Sequence, residues 1–142
     1  MSNVEGERIR RMARSIPFLK HLGVRLVRLE RGRSELKLNV TSSLTQSRGI
    51  AHGGVAASLI DSAAGLALCT MIKPGQMINT VEMKVNYLAP APPGVLRASG
   101  KIIRRGKLIA VGEGEVRNRE GVLVAKGSAT YIILESTRST PV

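Results

Sequence analysis

A His52-Gly53-Gly54 turn opens a nearly all-apolar stretch, and eight residues past Gly53 stands a single carboxylate, Asp61. No other residue between His52 and Lys73 carries a formal charge. Removing a carboxylate from water is costly, so one kept inside an apolar segment needs a partner or a reaction. Paired glycines at a helix start bring bare N–H groups close to a ligand, where the helix dipole favours negative charge. Together these groups suit a carbonyl. The N–H groups polarise its oxygen while the carboxylate, or a water it activates, attacks its carbon.

The elements that must position this chemistry follow from local pattern. Residues 4–22 form a short amphipathic helical segment interrupted at Pro17, with Ile9, Met12, Ala13 and Ile16 on one side. Val24–Glu30 and Ser34–Val40 read as strands joined through Arg31-Gly32-Arg33. A helix runs from about Gly54 to Ile72 and stops at Lys73-Pro74-Gly75. Thr80, Glu82, Lys84 and Asn86 alternate with Val81, Met83, Val85 and Tyr87, as in a half-buried strand. Val95–Arg104, Leu108–Arg117 and Val122–Leu134 are further strands. Ala110, Gly112 and Gly114 share one strand face, as do Ala125, Gly127 and Ala129, so something bulky approaches there. An all-round apolar helix must be covered on most sides. The fold class is therefore α+β, an antiparallel sheet wrapped around one central helix. Residues 1–22 form an N-terminal helical segment, 23–135 the main domain and 136–142 a loose tail.

Composition narrows the function. A chain of 142 residues is one ordinary domain. Aromatic residues make up only 2%, so the core is built from aliphatic side chains. The net charge of +12 fits a polyanionic or phosphate-bearing partner, yet nucleic-acid motifs and stacking platforms are missing. No nucleic-acid partner is expected. Asp61 in the middle of residues 53–72 argues against a membrane span. No apolar signal core opens the chain, and Glu5 and Glu7 among the early arginines argue against a transit peptide. The single Cys69 excludes a disulfide framework and agrees with a cytoplasmic location. His21 and His52 are far apart, so no metal or other cofactor is expected.

Two blocks carry a family resemblance: Gly49-Ile-Ala-His52-Gly53-Gly54 with Leu59-Ile60-Asp61, and Thr80 through Ala91. Both, in order, resemble the hotdog-fold acyl-CoA thioesterases of the PaaI-like branch, named for phenylacetic acid degradation. The resemblance covers nearly the whole chain. It implies an enzyme that hydrolyses aryl- or fatty-acyl-CoA to the free acid and CoA. Asp61 matches the nucleophile or general base, and Gly53 the backbone N–H that polarises the thioester carbonyl. His52 matches a turn histidine that positions the thioester. Thr80 falls where relatives carry a hydroxyl that holds the attacking water. Gln46 stands where many relatives have Asn. The resemblance also implies a homodimer or homotetramer with the active site at the dimer interface. Gly54, Val55 and Tyr87 would bind substrate, and Arg104, Arg105 and Lys107 the phosphates of CoA.

Taken singly, these residues have plainer readings. His52 is a loop histidine, Asp61 a satisfied buried acid, the glycines turn residues, and Arg104–Lys107 a solvated hairpin. Their co-occurrence favours the catalytic reading. The alternative is a non-catalytic module that holds acyl-CoA as a ligand.

Overall fold

The computed structural model describes residues 1–136. Helix α1 (Asn3–Ser15) starts with a capping box in which Ser2 and Glu5 satisfy each other's backbone N–H. Pro17 opens α2 (Pro17–Leu22), and Gly23, left-handed at φ 76°, closes it. Strands β1 (Arg25–Glu30) and β2 (Arg33–Val40) form a hairpin, followed by a 3-10 turn at Ser42–Leu44. The central helix α3 spans Gly53–Cys69. Strands β3 (Gln76–Tyr87), β4 (Gly94–Arg105), β5 (Ile109–Arg117) and β6 (Leu123–Glu135) complete the chain. One antiparallel sheet results, in the order β1-β2-β4-β5-β6-β3.

α3 lies across β2, β4 and β5. Where it presses closest, Ser34, Gly100, Gly114 and Gly127 stand in one cross-strand row. A Cβ on Gly100 would meet the backbone of Ala63 and Ala64, 2.5 Å from the Ala64 nitrogen. Gly112 and Gly114 abut Ala64 and Ile60 in the same way, as the small-residue pattern implied. Gly127 does not. A Cβ there would meet the Lys84 carbonyl and Val85 of β3, so that glycine serves a tight strand approach rather than the helix. The Ser34 hydroxyl donates to the Ala63 carbonyl at 2.7 Å, satisfying a buried polar group in the middle of this contact. Ile9 and Ala13 of α1 join the same core as Leu59, Ile60 and Leu96.

Three expectations need correction. α3 ends at Cys69 rather than Ile72, because the buried Thr70 hydroxyl donates to the Ala67 carbonyl and accepts the Gly32 N–H. β3 is not half-buried within one chain: it is an edge strand, with Val81 and Tyr87 59% and 58% exposed. Its alternation is also broken. A bulge between Thr80 and Glu82 pairs Thr80 with Tyr131 and Glu82 with Thr130. Thr80 therefore shares the helix face with Met83, Val85 and Tyr87 instead of the face of Glu82. The expected tail lies outside the described residues except for Ser136, whose N–H donates to the Gly75 carbonyl.

Candidate active site

The apolar segment becomes α3, and its third-turn carboxylate meets two hydroxyls. Thr80 Oγ1 donates to Asp61 Oδ1 at 2.8 Å. The Tyr131 hydroxyl donates to the Asp61 carbonyl at 2.9 Å and lies 3.3 Å from the same Oδ1. Among the described residues Oδ2 takes no hydrogen bond, so one carboxylate oxygen is anchored and the other is open. Asp61 is half-buried, not enclosed, because the edge strand β3 leaves that side uncovered.

Tyr131 was not singled out from the sequence. It is 1% exposed and sits on β6 among Ala129 and Ile133. Burial, with the Asp61 charge beside it, pushes its phenol far above the ordinary range, so the hydroxyl stays a proton donor. The available signal was a tyrosine on the apolar face of a strand, whose buried hydroxyl must find an acceptor. Tyr131→Phe removes that donor. The expected result is a kcat about tenfold lower with KM little changed, and a stability loss of about 1–2 kcal/mol. Steady-state kinetics and a denaturant titration measure both.

The opening of α3 is built by His52. Its ring Nδ1 accepts the Gly54 N–H at 2.9 Å, which caps the helix and places the ring proton on Nε2. Val55 N–H is taken by the His52 carbonyl. The Gly53 N–H has no acceptor among the described residues and lies at the positive end of the helix dipole. The Tyr87 ring lies against Gly53, 3.1 Å from where a Cβ would stand, so any larger residue there would have to displace that ring.

Other residues fall elsewhere. Gln46 turns its amide oxygen onto the Arg48 N–H at 2.6 Å, closing its own loop. Val55 is 5% exposed inside the core and does not line an open surface in one chain. Arg104, Arg105 and Lys107 lie at the β4–β5 hairpin. Arg105 shares a cross-strand row with Ala110, Tyr131 and Thr80, and its Nε is buried without a partner. Burial pushes the Cys69 thiol up to about 11, so it stays protonated and makes a poor nucleophile. Among the described residues no three His, Cys, Asp or Glu side chains cluster as a metal site would require.

Asp61 and Gly53 stand eight residues apart on one helix, about 12 Å along its axis. A single carbonyl cannot meet both within one chain. Comparison with known proteins bears on the same segment. The model of the thioesterase superfamily matches residues 48–125, the span from the Gln46 loop through β6's start. The chain belongs to the thioesterase superfamily. It is thus an enzyme of the thioester-hydrolase kind. A Saccharolobus solfataricus protein provisionally named an esterase is 33% identical over 119 residues, covering 84% of each chain. The medium/long-chain acyl-CoA thioesterase YigI of Salmonella typhimurium is 29% identical, covering 83% of this chain and 86% of that protein. Among solved structures, a thioesterase-family protein from Silicibacter pomeroyi superposes with a TM-score of 0.88 at 28% identity, covering 93% and 99%. The fold is that of the hotdog thioesterases. Among the described residues no helix is long and apolar enough to cross a membrane.

Proposed function

We propose that this thioesterase hydrolyses acyl-CoA, taking aryl- or fatty-acyl groups to the free acid and CoA. The carrying observation is Asp61, with Oδ1 held by two hydroxyls and Oδ2 open. Two routes use that oxygen. It removes a proton from a water that attacks the thioester carbon, or it attacks that carbon itself to form a mixed anhydride that water then opens. In both, the carbon–sulfur bond breaks and CoA leaves as the thiolate. Charge building on the carbonyl oxygen needs a fixed donor, and the open Gly53 N–H is one. Thr80 and Tyr131 keep Asp61 aimed; His52 holds the turn that presents Gly53. The Gln46 amide nitrogen remains for water or substrate, its oxygen being used in the loop.

Because Asp61 and Gly53 of one helix are too far apart, the site is assembled from two chains, Asp61 of one facing Gly53 of the other. The open edge of β3 and its exposed Val81, Met83 and Tyr87 support a homodimer there. Two such dimers make a tetramer. Arg104, Arg105 and Lys107 receive the CoA phosphates, and Gly54 and Tyr87 border the acyl group. The names of relatives, YigI and the 1,4-dihydroxy-2-naphthoyl-CoA hydrolase of Listeria monocytogenes, support a CoA thioester substrate.

Met83→Arg places a charge on this edge face. Sedimentation should show wild type as a dimer or tetramer and the variant shifted to monomer, with thiol release lost in proportion. A fully active monomer would refute the shared site.

A further inference from the structure

Leu36 and Leu38 of β2, Leu96 and Ala98 of β4, and Val116 of β5 are buried in one core with Leu59 and Ile60 of α3. The residues between them therefore point away from the helix, onto the outer face of the sheet. On that face Arg25 stands opposite Lys37, Lys37 opposite Arg97, and Arg97 opposite Arg117. Like charges directly opposite one another on a sheet cost stability. Among the described residues Arg25, Lys37 and Arg97 have no ion pair or side-chain hydrogen bond. Arg117 alone in the row reaches a carboxylate, Glu115 at 2.9 Å.

The neighbouring rows are built differently. The next runs Arg28, Glu35, Ser99, Glu115 and Lys126, and the one after it Glu30, Arg33, Lys101 and Glu113. Both mix the two signs and close into ion pairs, Arg28–Glu35 at 3.8 Å, Lys126–Glu115 at 2.9 Å and Lys101–Glu113 at 2.8 Å. Of these three rows only the first leaves its charge uncompensated. Apolar side chains border it: Val95 follows opposite Asn39, Leu123 pairs with Arg117, and Val122 is 47% exposed.

We propose that this row docks an acidic amphipathic helix of a partner protein, with the helix axis laid across the strands. Strands lie about 4.8 Å apart, so the row spans about 14 Å. Carboxylates on four successive turns of one helix face span about 16 Å, a difference that long Lys and Arg side chains absorb. The apolar residues of that helix meet Val95, Leu123 and Val122. A nucleic-acid duplex or a lipid surface is broader. It would press phosphates onto Glu35 and Glu115, about 7 Å away in the next row. A second copy of the chain does not supply the helix, since α1, α2 and α3 hold only Glu5, Glu7 and Asp61 as acidic residues. The row lies on β1, β2, β4 and β5, across the sheet from α3, so the proposal does not depend on hydrolysis at Asp61.

Fluorescence anisotropy of the full chain with a synthetic helical peptide tests it. The peptide carries one Glu on each of four successive turns, with Leu beside them, on an alanine background. A permutation of the same composition scatters the glutamates around the helix. The ordered peptide should bind, the permuted one about tenfold more weakly, and added salt should weaken both. Lys37→Glu and Arg97→Glu should each weaken the ordered peptide about tenfold. Arg33→Glu, the same charge change in a sign-mixed row, should shift it less than about twofold. Both reversals in the row should raise the melting temperature by relieving its repulsion, which separates lost binding from lost folding. Amide spectra of wild type, independent of any variant, should show shifts at Lys37, Val95 and Arg97. Absent binding, equal binding of the two peptides, or an equal loss in Arg33→Glu overturns the proposal. So do shifts confined to α1, or tighter binding of oligothymidylate or phosphatidylglycerol vesicles.

Discussion

Thiol release from acyl-CoA substrates is expected to fall about a hundred- to ten-thousandfold in Asp61→Asn, the range attributed to a positioned acid or base. The substitution keeps the shape and leaves Oδ1 able to accept from Thr80 and Tyr131, so folding and assembly should persist. What it removes is the charge on the open oxygen, which both routes require. A panel of aryl-, short- and long-chain acyl-CoAs, assayed on wild type and variant in parallel, gives the result and names the substrate class. Equal turnover in both proteins, with the oligomer intact, would remove Asp61 from the mechanism. No turnover of any thioester by wild type would favour the binding-module reading.

The largest effect on stability is expected at Gly100. Overpacking a core costs about 1–3 kcal/mol when side chains can move aside. Here the obstacle is the backbone of Ala63 and Ala64, in the middle of α3, and a helix cannot yield at one residue. Gly100→Ala should therefore cost about 3 kcal/mol or more. The melting temperature should fall by about 10 °C in a chain of this size. Gly6→Ala is the matched control. A Cβ at Gly6 would meet only the flexible end of Met1 at 3.5 Å, so helix propensity decides, and stability should rise by up to about 1 kcal/mol. Calorimetry on the two variants reads both signs. A mild effect at Gly100 would mean that α3 rides higher on the sheet than described.

Loss of Asp61 and loss of Gly100 probe two consequences of one contact. The glycines let α3 sink onto β4 and β5, and the depth of that contact sets where Asp61 stands relative to β3 and β6. The Ser34–Ala63 hydrogen bond ties the same helix turn to β2. A helix held this way carries Asp61 to Tyr131 without a loop intervening, so the carboxylate is placed by rigid elements rather than mobile ones.

Much of this was legible in the chain itself. The caps, breakers and periodicities are local, so the boundaries of α1, α2, β1, β2, β4, β5 and β6 follow within a residue or two, while β3 starts at Gln76, four residues before the alternation at Thr80. His52, Gly53 and Asp61 were equally visible, because a lone charge in an apolar helix and paired glycines at its start are local anomalies. Tertiary structure decided the rest. Thr80 reads as outward-facing from its alternation with Val81, and only the bulge, fixed by pairing with β6, turns it onto Asp61. Tyr131 is seventy residues from Asp61 and meets it only because β6 lies beneath α3. The exposed apolar face of β3 also came from strand order, not composition. Local steric and hydrogen-bonding preferences act over a few residues and can be read from them. Strand register, bulge position and edge status depend on partners distant in sequence, and these determine which side chains reach the carboxylate.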